Sequence, residues 1–270
     1  MTLSNFHAHT TYCDGSESCE EMVRAAVQKG LVAFGLSGHA YMGFETDWCM
    51  SPDKTAAFVD EMTRLKETYG DRITLFTGIE QDYYATEPTA GFDYVIGSCH
   101  YIKKDGEYLL VDESDAVQQD DVTRHYGGDF YAYFRDFYAT AADIARKTNP
   151  DFIGHFDLVT KFNEGGRFFD EADKRYQNVA IEALVAVLET HRLFEINTGA
   201  MYRVGKKAPY PAAFLLKELK ARGGEIILSS DSHDGASICY QFSEAAELAK
   251  ACGFQYAKTL TTSGFVDYPL

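Results

Sequence analysis

What this chain lacks narrows its class first. No apolar run approaches the length of a membrane span, and "LVAFGL" at 31–36 is typical of the apolar stretches. No Lys/Arg run or basic patch occurs. With 25 basic against 41 acidic residues the formal net charge is −16, which disfavours nucleic-acid binding through the backbone. The first residues carry no basic, apolar, small-residue leader pattern, so a cytoplasmic location is expected. The six cysteines (13, 19, 49, 99, 239, 252) form no CxxC pair and lie in no nucleophile motif, so they are expected to be small buried thiols. No interdomain linker and no internal repeat is visible, and 1–270 is expected to be a single domain.

What is present is a repeated alternation. Apolar runs of strand length lie at 3–6, 31–37, 73–78, 92–98, 151–154, 193–197, 225–230 and 254–260. They are apolar throughout, as suits strands buried on both faces of a parallel sheet. Amphipathic helices lie between them. Ser18 with Glu21 forms a capping box, with Gly30 as the stop. Ser51-Pro52 opens a second helix, bearing Phe58, Met62, Leu65 and Tyr69. Four more follow: Phe130 to Ile144, a stripe from Val179 to Leu188, one opening at Tyr210-Pro211, and Ser243 to Cys252. The pattern predicts α/β architecture with a parallel sheet. One interval breaks the rhythm. Residues of about 101–129 read as a hairpin turning at Asp105-Gly106 followed by polar loop, an insertion placed where an active-site cover would sit.

Polar residues then fall in one kind of place. Of eight histidines, His7 and His9 end the first run, His39 the second, His100 the fourth and His155 the fifth, and His233 follows the seventh. Glu80 ends the third, Asp231 ends the seventh, and Asp14 lies in the loop after the first. Only His125 and His191 fall elsewhere. C-terminal strand ends of a parallel sheet meet at one face. There these imidazoles and carboxylates would converge, and metal binding is the chemistry that needs them together. Nine candidates suffice for two or three metals sharing a bridging carboxylate. Arg203 and Lys161 are candidate clamps for an anionic substrate.

"HAHTTYCDG", "LSGH", "GIE", "GSCH", "GHFDL" and "SSDSH", in this order, resemble the polymerase and histidinol phosphatase (PHP) family over nearly the whole chain. The resemblance implies a distorted parallel (βα)7-type, TIM-like barrel with a metal site at the C-terminal strand ends. It implies three divalent ions, of zinc, iron or manganese. His7, His9, Glu80 and Asp231 would hold the first. Glu80 would bridge to a second, also held by His100 and His155. Asp14, His39 and His233 would hold the third. Gly38 stands where members often carry an acidic residue, so the third ion is expected to be the weakest. The segments "GHFDLVTKF" and "FEINTGAMYRVGKKAPYP" resemble the histidinol-phosphate phosphatase branch. That implies hydrolysis of L-histidinol phosphate, with Asp231 and His233 assisting the leaving alkoxide. Asp112, Glu113 and Asp115 with Tyr101 and Tyr108 are expected to receive the end of the substrate remote from phosphate. A PHP phosphoesterase of other specificity, an exonuclease, an amidohydrolase-type metal hydrolase and a non-catalytic metal-binding module are the competing readings. Neither a nucleic-acid nor a membrane partner is expected.

Overall fold

A computed structural model describes residues 3–45 and 47–270. The chain runs β1 (Ser4–Asn5), α1 (Cys19–Gln28), β2 (Ala33–Leu36), α2 (Pro52–Tyr69), β3 (Thr74–Asp82), β4 (Tyr94–Ser98), β5 (Tyr101–Lys104) and β6 (Glu107–Leu110). It continues with α3 (Asp115–Tyr126), α4 (Phe130–Thr148), β7 (Phe152–Ile153), α5 (Lys174–Leu188), β8 (Leu193–Asn197), α6 (Gly199–Arg203) and α7 (Ala213–Ala221). The last elements are β9 (Glu225–Ser229), α8 (Phe242–Ala251), β10 (Tyr256–Thr261) and β11 (Gly264–Pro269). No described helix is long and apolar enough to cross a membrane.

Seven strands run parallel in the order β1-β2-β3-β4-β7-β8-β9. The sheet curls until its edges meet. Ala8 bridges Ser232, and the His9 amide donates to the Ser232 carbonyl at 2.7 Å. This is the expected (βα)7-type barrel. The eighth apolar run is not an eighth stave. As β10 it pairs β9 through Lys258 opposite Ile227 and turns back as the antiparallel β11. Thr259 Oγ1 meets Ser4 Oγ at 2.8 Å, so β10 fills the gap where β1 and β9 diverge at their N-terminal ends.

The helix boundaries follow their caps. Ser18 and Glu21 make the capping box of α1, and Ser51 accepts from the Lys54 amide ahead of Pro52. Asp105 and Gly106 turn the β5–β6 hairpin, both with positive φ (50° and 89°). The rest of the insertion is not polar loop. It holds α3, capped by Ser114, whose mostly polar sequence hid a short inner face of Gln118, Asp121 and Val122. Val122 joins Leu109, Val111, Tyr133 and Phe134 in the core. The six cysteines are free, four of them buried.

Alternation along each strand divides the molecule. On β8, Phe194 and Ile196 face the helical layer, while Leu193 joins Phe6, Phe76, Tyr94, Ile96, Phe152, Ile227 and Leu260 inside the barrel. This apolar floor lies below the strand ends. The Tyr94 ring crosses β2 and β3 so closely that a Cβ on Gly35 or Gly78 would come within 2.3 Å or 2.1 Å of it. Gly78→Ala is therefore expected to destabilise the fold by about 1–3 kcal/mol through overpacking, read by chemical denaturation. An unchanged midpoint would show that the ring can move aside.

Candidate metal centre

Glu80, two residues before the end of β3, is the hub. Its Oε2 lies 2.9 Å from His39 Nδ1, 3.2 Å from His7 Nε2 and 3.5 Å from His9 Nε2. Its Oε1 lies 3.1 Å from His155 Nε2 and 3.5 Å from His100 Nε2. Asp231 Oδ1 lies 3.2 Å from His9 Nε2. At the rim, Asp14 faces His39 Nε2 at 3.5 Å and His233 Nε2 at 2.9 Å. All nine sequence-predicted ligand residues thus come together, in overlapping groups within 4.8 Å: His7/Glu80/His155, His7/His9/Asp231, His39/Glu80/His100 and His9/Asp14/His39/His233. His125 lies on α3 and His191 beyond α5, both outside the cluster.

Further acceptors lie behind three of the rings. Glu195 Oε2, inside β8, lies 2.9 Å from His7 Nδ1. Asp82 Oδ2 lies 3.2 Å from His100 Nδ1 and accepts from the His100 amide. His233 Nδ1 is 3.0 Å from the Asp231 carbonyl. Nε2 is the inward atom of each of these rings. The inward atoms His7 Nε2, His9 Nε2 and Glu80 Oε2 are buried and make no hydrogen bond. Orphaned polar atoms this deep are costly unless something binds them. What surrounds them is carboxylate and imidazole, the donor set of a divalent transition-metal ion, so the residues fit the ions that the resemblance implies.

Electrostatics agree. Burial alone would push Glu80 up, but His7, His39 and His100, with the His155 contact, outweigh it and hold the carboxyl well below its usual range. Asp231 is also held well below, since Arg203 and His7 overcome its burial. Burial opposes charge on His7 and His39 too, yet Glu195 and Glu80 raise the first, and Glu80 and Asp14 the second, well above the ordinary value. His9 goes the other way, lowered to about 3 by burial and by the charges of His39 and His233.

A cavity of about 240 Å³ opens over this cluster, lined on one side by Asp14, His39, His100, Asp231 and His233. Its other walls are Trp48, Leu110, Asp112, Glu113, Lys161 and Arg203. Arg203 Nη2 bonds Asp231 Oδ2 at 2.9 Å, and Lys161 Nζ bonds both the carbonyl and Oδ2 of Asp112 at 2.9 Å. Three expectations fail here. Asp115 pairs with Arg167, Tyr101 donates to Glu45 at 3.0 Å, and Tyr108 stacks on Phe44 at 3.7 Å, so none of them lines the cavity. Trp48 takes the aromatic place instead, edge-on to His39 at 4.5 Å. Gly38 has a steric reason of its own, because a Cβ there would press on Met50 Sδ at 2.8 Å.

A model of the PHP domain matches residues 5–199. The chain belongs to the PHP family. A Schizosaccharomyces pombe relative named "Probable histidinol-phosphatase" is 26% identical over 275 residues, 94% of this PHP chain and 87% of the relative. The "Histidinol-phosphatase" of Bacillus subtilis is 22% identical over 263 residues, 90% of this chain and 97% of its own. Among solved structures, histidinol phosphate phosphatase of Lactococcus lactis, complexed with zinc, L-histidinol and phosphate, shares the fold. The TM-score is 0.74 at 21% identity, over 98% of this chain and 99% of that one.

In the metal-free PHP chain, His7, His39 and His100 hold protons more tightly folded than unfolded. The stabilisation this brings is full below about 6.5, the ordinary histidine value, and is lost as pH rises through the raised folded values. Chelator-treated protein should therefore unfold at lower urea concentration at about pH 9 than at about pH 6. A midpoint that rises over this interval would show those imidazoles to be neutral in the metal-free fold.

Proposed function

We propose that this protein is a metal-dependent phosphomonoesterase that hydrolyses L-histidinol phosphate to L-histidinol and phosphate, a cytoplasmic step of histidine biosynthesis. The observation that carries the reading is the convergence of nine ligand-type side chains around Glu80, beside a cavity also lined by Arg203. The histidinol-phosphatase names of the two curated relatives, which align over most of this chain, supply the substrate. Three divalent ions, zinc, iron or manganese, are assigned by motif. His7, His9, Glu80 and Asp231 hold one; Glu80, His100 and His155 a second; Asp14, His39 and His233 the third. When bound, such ions polarise phosphoryl oxygens and make water a competent nucleophile near neutral pH.

The chain's own groups do the rest. Arg203, its charge secured against burial by Asp231, Asp112 and Asp14, presents guanidinium N–H donors to the phosphoryl oxygens. Lys161 adds positive charge to the same wall while its ammonium stays on Asp112. Asp231 and His233 line the cavity; the ionised Asp231 takes the proton released by the attacking water and passes it to the departing alkoxide, with His233 beside it. The insertion at about 101–129 of the single domain is the cover. Leu110 and Trp48 wall the remote end of the substrate, and Asp112 and Glu113 favour its ammonium and imidazole. The bound partner is a small phosphorylated molecule.

Two outcomes follow. Elemental analysis of fully loaded protein should give about three ions per chain. Chelator should remove first the ion at Asp14 and His233, whose side chains are 29% and 15% exposed, while His7, His9 and Glu80 are at most 1% exposed. One ion per chain at saturation would end the trinuclear assignment. In the second test, kcat/KM with zinc, manganese or iron should favour L-histidinol phosphate over p-nitrophenyl phosphate. Arg203→Ala should lower it about 10- to 150-fold, the equivalent of about 1.5–3 kcal/mol for a charged hydrogen bond. Preference for the generic ester would leave a PHP phosphoesterase of other specificity.

A further inference from the structure

The mechanism leaves Glu195 without a part, although it is among the most completely bonded side chains of the molecule. It is 1% exposed and lies within β8, one residue pair above the apolar floor. Every polar atom that its carboxylate meets is a donor or can be one. Oε1 accepts from the His155 amide and from Asn197 Nδ2, and Oε2 accepts from Ser229 Oγ and faces His7 Nδ1. Four strand ends, those of β1, β7, β8 and β9, are thereby tied to one group.

We propose that Glu195 is a positioning residue of the metal centre, which fixes the hydrogen of His7 on Nδ1 and so keeps the lone pair of Nε2 turned toward Glu80 and Asp231. A carboxylate has no hydrogen to give, so the ring nitrogen facing it must donate. In the neutral ring that an ion would bind, the lone pair is then on the other nitrogen, the buried His7 Nε2, which makes no hydrogen bond. The inference rests on the metal-centre part of the reading above and not on the substrate.

Glu195→Gln is the discriminating change, because it keeps the shape. The two amide donors at Oε1, from His155 and Asn197, require the glutamine oxygen there. The glutamine NH2 then takes the Oε2 place. Ser229 can rotate its hydroxyl to accept from it, but His7 can accept only by moving its hydrogen to Nε2, which removes the ligand lone pair. Two readouts besides turnover are available. The zinc affinity of Glu195→Gln, by competition with a chelator, should fall at least tenfold, in line with the loss of such outer partners, with the circular dichroism spectrum retained. In the histidine-selective nitrogen–proton spectrum of zinc-loaded wild type, His7 should carry its proton on Nδ1. Ser229→Ala, which removes one bond to Glu195 but leaves His7 facing it, should keep wild-type affinity within about twofold, well short of that tenfold loss. Zinc affinity of Glu195→Gln within twofold of wild type, an equal loss in Ser229→Ala, or a His7 proton on Nε2 in the wild type would each overturn the proposal. The wild-type spectrum decides even if the variant does not fold. Wild-type protein that binds zinc but ignores histidinol phosphate would strike the substrate assignment and leave this inference standing.

Discussion

A carboxylate that is almost wholly out of water, ringed by five imidazoles, is the constraint on which the rest of the structure depends. An isolated ionised Glu80 at 1% exposure would be among the costliest groups a fold could bury. It is tolerable because positive charge is brought to both of its oxygens at once. That requires side chains from β1, β2, β4 and β7 to arrive at the same point. A parallel sheet curled into a barrel does this as a matter of geometry, since every C-terminal strand end opens onto one face.

The same geometry separates two environments a few ångströms apart. Within a single strand the inner face changes from apolar to ionised, as when Leu193 gives way to Glu195. The floor of Phe6, Phe76, Tyr94 and Phe152 lies beneath the cluster, and the cavity opens on its other side. On that side the wall comes from two separate segments clasped to one another. Phe44 stacks on Tyr108 and Glu45 accepts from Tyr101, which joins the loop after β2 to the β5–β6 hairpin. The aromatics expected to touch substrate instead hold together segments that wall the cavity.

Much of this was legible in the sequence, for an identifiable reason. The ligand residues are polar interruptions at the ends of apolar runs, so each one stands out against its neighbours. The helix starts at Ser18 and Ser51 were legible because caps act over three residues. Glu195 was not, because it lies within a run that otherwise reads as buried strand, and Asp82 was not, because it lies past the third run; the partners of both are distant in the chain. Helix α3 was missed because only a few of its residues face the core, and β11 because a short edge strand has weak periodicity. The run that became β10 carries the apolar pattern of the other staves. Only the edge-to-edge meeting of β1 and β9 excludes it from the ring.

The bridge between Ala8 and Ser232 has a consequence for how the protein is made. His7 and His9, the first of the nine clustered residues to be synthesised, are held in register by Ser232, which lies between the last two, Asp231 and His233. A nascent chain that has emerged only through α6 already displays His7, His9, His39, Glu80, His100 and His155, but lacks the strand that closes the ring. These side chains are then a loose collection on an open sheet edge, with the entropy of a long loop still to be lost before they converge. Convergence of these side chains is thereby postponed until β9 has been made, and the order of translation sets when the cluster can be assembled.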